Sequence, residues 1–144
     1  MRIIPRIFFW VVVTVAATGL AAADGLKVIA HSSVGIDEIS ADDLRAVFLG
    51  TRTSLKRAGP VRPVLDRDHS SLQRFSASYL GKSSSALETY YRSLMFTGKG
   101  TLPVGFPSDE EVVAYVARTP GTIGFVRQST PAAQVKTLRV TGAP

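Results

Sequence analysis

Short runs rich in β-branched and apolar residues alternate along this chain with segments that open on a serine and close on a glycine. That alternation restricts the fold more than any other feature. Leu26 to Ala30 (LKVIA) is the first such run. Ser40 then opens a helix whose first turn holds Asp42 and Asp43, where carboxylates favour the positive end of the dipole. Ile39 and Leu44 stand at hydrophobic-staple spacing, Leu44, Val47 and Phe48 make one apolar face, and Gly50 ends the segment. Val61 to Leu65 reads as a second strand, with Pro63 pointing to an edge or to irregular pairing.

Three further helical segments follow. After the polar turn from Asp66 to Ser70, a helix carries Leu72, Phe75 and Tyr79 on one side and stops at Gly81. A further helix starts near Ser85, which has capping-box spacing to Glu88, and buries Leu87, Tyr90, Tyr91 and Leu94. Thr97 to Thr101 is a lysine loop bracketed by Gly98 and Gly100. Ser108 and Glu111 form a third cap, with Val112, Val113 and Val116 behind it and Pro120-Gly121 as the stop. Thr122 to Val126 and Val135 to Val140 are the last strands. Capped helices between short strands define an α/β layer domain.

Composition narrows what such a domain is for. An apolar fraction of 45% with 19% charged residues supports a packed core and excludes a disordered tail. The absence of cysteine excludes a disulfide scaffold. The net charge of +6 raises nucleic acid as a partner, but the basic residues from Lys27 to Arg139 are scattered and form no block.

Residues 1–23 read as a leader. Arg2 and Arg6 precede an apolar stretch from Ile7 to Val15, and small residues run to Ala21-Ala22-Ala23 before the polar Asp24. A positive start, a short apolar core and an A-x-A-like exit make a secretory signal peptide. The stretch is short for a membrane span, which needs about 20 predominantly apolar residues. Cleavage leaves one domain over residues 24–144, with a charge of +4 and no cysteine for lipid attachment. The expectation is a soluble periplasmic protein, with no nucleic-acid partner and no stable membrane span after cleavage.

Groups that do covalent chemistry are few. No cysteine nucleophile exists, His31 and His69 lack metal-ligand spacing, and no G-x-S-x-G, H-E-x-x-H or P-loop occurs. The chain is therefore read as a non-enzyme that needs no cofactor and no metal. Anion binding has more support. Asp66-Arg67-Asp68-His69-Ser70-Ser71 leads into a helix, which brings free backbone N–H groups, two hydroxyls and an arginine to its positive end. Lys99 sits in a second backbone concavity. The plainer reading makes Ser70 or Ser71 an N-cap, pairs Arg67 with Asp66 or Asp68, and leaves the glycines as turn residues.

Four segments resemble one lobe of the phosphate-binding proteins of ABC transporters, the type 2 periplasmic binding fold. Ile39 to Gly50 (ISADDLRAVFLG) is similar to the family's acidic segment ending in Phe-x-Gly. Val64 to Ser71 (VLDRDHSS), with Phe75, resembles the arginine–serine turn that grips phosphate. Gly98-Lys99-Gly100 resembles its lysine–glycine loop, and Thr119 to Val126 (TPGTIGFV) its "TPGxIGYV" strand entry. The resemblance implies a single-lobe α/β domain, a short mixed sheet flanked by helices. It also implies an oxyanion site at Arg67, Ser70, Ser71 and Lys99, in an accessory of ABC uptake or sensing.

Two departures bear on that implication. The arginine turn continues as Ser71-Leu72-Gln73 where the family has Ser-Gly-Thr, and the chain has residues for one lobe where the family has two. Two readings follow. In the first, the domain binds phosphate or a related oxyanion. In the second, it retains the fold as a protein-interaction or sensor-input module without that ligand, and contacts a partner protein or a second copy of itself.

Overall fold

Alternate residues of the central strands feed two separate apolar layers, and that division sets the architecture. The computed structural model describes residues 25–100 and 102–142; the leader read in residues 1–23 lies outside the described residues. The elements run β1 (Leu26–Ala30), β2 (Glu38–Ser40), α1 (Ala41–Phe48), β3 (Ser54–Leu55), β4 (Gly59–Pro60), β5 (Arg62–Asp66), α2 (His69–Phe75), a π-helical turn (Ser76–Leu80), α3 (Ser84–Phe96), β6 (Val104–Phe106), α4 (Asp109–Arg118), β7 (Thr122–Arg127) and β8 (Lys136–Thr141). Among the described residues the main sheet is ordered β2-β8-β1-β7-β5-β6, and β3 and β4 form a separate hairpin. It is mixed: β1 is antiparallel to β7 and β8, whereas β5 is parallel to β7 and β6, and β2 to β8.

Val28, Ala30, Leu65, Ile123, Phe125 and Leu138 face one side of the sheet and pack with α1, α2 and α3. Ile29, Val64 and Val126 face the other side and pack with Val112, Val113 and Val116 of α4. The larger layer centres on three phenylalanines. Phe75 stacks on Phe125 with centroids 3.9 Å apart and meets Phe48 edge-on at 4.7 Å. The tyrosine hydroxyls of α3 tie this layer to the end of α1: Tyr91 donates to Phe48 O and Tyr90 to Leu49 O, each at 2.6 Å.

The capping serines of α1 and α4 are as expected: Ser40 accepts from Asp43 N–H and Ser108 from Glu111 N–H. The cap of α3 moves. Ser83, not Ser85, accepts from Ala86 N–H, because the chain leaves the left-handed Gly81 (φ 64°) and the first well-placed serine of the run takes the position. The helix expected up to Gly81 widens into the π-helical turn, which buries Leu80 fully and leaves Tyr79 half-buried.

β5 is internal, not an edge. Pro63 is tolerated because Arg62 N–H donates to Gly121 O of the β7 side, which turns residue 63 toward β6, and β6 pairs only from Val64 onward. The missing N–H therefore points where no strand lies.

Candidate functional site

The loop from β5 into α2 contains a cluster of carboxylates and arginines whose partners come from distant parts of the chain. Asp68 caps α2. Its side chain accepts from Ser71 N–H at 3.2 Å and from Ser70 Oγ at 2.9 Å, and Arg127 Nη2 at the end of β7 lies 2.9 Å away. Hydrogen bonds from Ser70 and Ser71, then Arg127, hold the Asp68 carboxyl down to about 2, so it is a carboxylate at any physiological pH.

Asp66 and Asp109 lie beside it and are buried. One oxygen of Asp66 accepts from Asp68 N–H at 2.9 Å. One oxygen of Asp109 accepts from Arg127 N–H at 3.0 Å and from the Thr130 hydroxyl. The remaining oxygens, Oδ2 of Asp66 and Oδ1 of Asp109, are buried and have no partner outside the Asp66–Asp109 pair. Burial, together with the hydrogen bond to Asp109, pushes the Asp66 carboxyl up to about 8. Burial acts on Asp109 the same way, but the hydrogen bonds from Asp66, Thr130 and Arg127 outweigh it and leave that group below its usual value. Asp66 is thus the protonated member of an acid–carboxylate pair at neutral pH.

The four residues expected to bind an anion are not brought together. Ser70 spends its hydroxyl on Asp68. Ser71 is buried, and Arg127 Nε reaches its hydroxyl at 3.4 Å. Arg67 donates its backbone N–H to Phe106 O, while its side chain turns away along β6 into an apolar groove beside α3. Lys99 lies in a different groove, with Arg52, Pro60 and Arg62 at the start of β5. Ser70 and Ser71 follow the other end of that strand. The thirteen residues of α3, roughly 20 Å long, carry the chain back across the sheet between them.

The plainer local reading also changes: the N-cap is Asp68, not Ser70 or Ser71, and Asp68 pairs with Arg127, not Arg67. The Asp66–Asp68 stretch reads locally as a solvated turn, yet Asp66 is fully buried. Arg127 and Thr130 are about sixty residues away along the sequence, so no local pattern announces them. Asp109 had a signal, as the first residue after the Ser108 cap, but only for a helix start.

The fold is that of a single lobe of a type 2 periplasmic-binding protein, an α/β domain whose mixed sheet has helices on both faces. It is similar to the crystal structure of an ABC-type phosphate transport receptor from Vibrio cholerae, with a TM-score of 0.54 at 14% identity over 83% of this chain and 47% of that one. It is similar to a putative phosphate ABC transporter substrate-binding protein with bound phosphate from Clostridium perfringens, with a TM-score of 0.55, 14% identity, and coverage of 83% and 46%. PstS from Borrelia burgdorferi gives a TM-score of 0.58 at 14% identity, covering 83% of this chain and 48% of that one. The chain spans about half the length of these structures. No protein-family model matches the chain, and no curated protein matches it.

Proposed function

We propose that this chain is an exported, non-enzymatic single-lobe domain that serves as a protein-interaction or sensor-input module, its ancestral type of anion cradle closed by its own carboxylate. Asp68 carries this reading. It occupies the start of α2, takes the Ser71 N–H and the Ser70 hydroxyl, and is held by Arg127. A phosphate dianion about 4 Å from that carboxylate meets roughly 2 kcal/mol of repulsion even in a water-like dielectric. A helix end returns about 1 kcal/mol or less. Arg127 offsets part of that repulsion, but it is committed to Asp68, as are the Ser71 N–H and the Ser70 hydroxyl, so an incoming anion finds these donors taken.

The leader at residues 1–23 and cleavage before Asp24 belong to the same proposal and place the domain in the periplasm. A second reading, weak binding of phosphate or a related oxyanion, is favoured by one observation: Arg67 makes no ion pair among the described residues.

Calorimetric titration of phosphate into the wild type and Arg67→Ala separates the two. The module reading expects no saturable binding at several millimolar. Binding that is roughly millimolar or tighter and disappears in Arg67→Ala supports the oxyanion reading instead.

A further inference from the structure

The groove that receives Arg67 has features of its own. It is about 300 Å³ in volume and is lined by Leu65, Leu72, Leu87, Tyr91, Met95 and Leu102, with Arg67, Arg92 and Glu88 as its charged members. That volume lies at the lower end of the range for small-molecule sites, and an apolar lining with a few polar groups is their usual composition. Met95 and Leu102 are exposed, 53% and 43%, so the apolar wall reaches the surface at one end.

Arg67 is exposed, but its stem lies against the backbone of β6. An added Cβ at Gly105 would lie 2.9 Å from Arg67 Cγ and Cδ, and closer still to Nε. The bare backbone of β6 is therefore the floor on which the Arg67 stem rests, and glycine is needed there for close approach and not for its own conformation. Gly105, which pairs with Leu65 in the β5–β6 ladder, thus leaves the room that the Arg67 stem occupies. Neither Arg67 nor Arg92 makes an ion pair among the described residues, so the two cations at this apolar site are without a counter-charge from a carboxylate within 4 Å.

We infer that this groove is a binding site for a small amphipathic carboxylate, with its apolar body against Leu72, Leu87 and Met95 and its carboxylate shared by Arg67 and Arg92. The volume has room for an apolar body of roughly eight carbons. Arginine suits this role because its planar fork can take a carboxylate through two parallel hydrogen bonds. Glu88 sets the charge balance: two cations against one anion leave a single positive charge, which matches a monocarboxylate and not a dianion. Gly105 acts through Arg67 and is a positioning residue. The inference is independent of the module reading, because it involves neither Asp68 nor the α2 cap.

The test compares octanoate with 1-octanol, which has the same chain and no charge, and with inorganic phosphate. Each is titrated by calorimetry into the purified wild type, Arg67→Ala, Arg92→Ala and Gly105→Ala. The expected result is saturable octanoate binding in the range of roughly high micromolar to millimolar, at least about tenfold tighter than octanol. Arg67→Ala and Arg92→Ala should each weaken octanoate about tenfold and leave octanol unchanged. Gly105→Ala should weaken octanoate similarly while its thermal melt stays that of the wild type, since the added methyl displaces only a flexible side chain. Competition by phosphate at equal concentration contradicts the selectivity. Equal binding of octanoate and octanol, an Arg67→Ala variant that binds octanoate like the wild type, or no saturable octanoate binding at several millimolar overturns the assignment.

Discussion

Replacing Asp66 with asparagine should abolish a loss of stability that the wild type suffers between pH 5 and 8. Asp66 is fully buried, and its carboxyl is raised by that burial to about 8. In the unfolded chain the same group titrates near 4. Between those values the native state keeps a proton that the unfolded state has released. Stability then falls as pH rises, by about 1.4 kcal/mol per unit for one proton. From pH 5 to pH 7 this amounts to about 3 kcal/mol, or roughly 10 °C of melting temperature for a domain of this size. Asparagine has the same shape, still accepts from the Asp68 N–H, and offers Asp109 an N–H in place of the acid proton. The assay is urea unfolding at pH 5, 6, 7 and 8 for both proteins. The wild-type curve should fall across the series relative to Asp66→Asn, with the two crossing or converging at the acid end. Parallel curves would refute the shared-proton pair.

Other expectations follow from the same geometry. Asp68→Ala removes the cap of α2 and the partner of Arg127, and should cost about 1–2 kcal/mol in urea unfolding at pH 7. Because Asp68 is held near 2, its contribution is present above the ordinary carboxylate range and is lost as the pH falls toward 2, the opposite sign to Asp66. Phe75→Ala deletes the ring stacked on Phe125 and edge-on to Phe48, and should cost about 3–5 kcal/mol by the same measurement. Edman sequencing of the exported protein should begin at or within a few residues of Asp24; a retained Met1 would contradict the leader reading.

What was legible in the sequence was whatever local periodicity and capping chemistry determine. Leu44, Val47 and Phe48 on one face of α1, and Val112, Val113 and Val116 on α4, are buried as their spacing requires. The alternation of strands and helices gave the α/β class. Three short pieces carry no such signal. β2, the β3–β4 hairpin and β6 have only two or three residues each, too few for a period of two to register. β6 also lies between Pro103 and Pro107, which read as loop.

The site was harder still, because its chemistry is tertiary. Arg67, Ser70 and Ser71 are neighbours in sequence, yet one side chain follows β6 and the others are committed to Asp68 and Arg127. Nothing between Asp66 and Ser71 announces an arginine arriving from the end of β7 or a second aspartate from the first turn of α4. Gly105 illustrates the same limit. Its meaning depends on a side chain thirty-eight residues earlier in sequence, seen only once β5 and β6 lie side by side.

The amide of Ser71 is the most direct reporter on the closed cradle, since its N–H is the donor that Asp68 occupies. Phosphate is titrated into ¹⁵N-labelled wild type and Asp68→Ala at pH 7, with the Ser71 amide resonance followed in both. The wild-type resonance should stay in place up to several millimolar phosphate, and in Asp68→Ala, where the Ser71 N–H loses its side-chain acceptor and Arg127 its carboxylate partner, it should move with saturable, millimolar dependence. A wild-type Ser71 amide that shifts and saturates at micromolar phosphate would contradict the account.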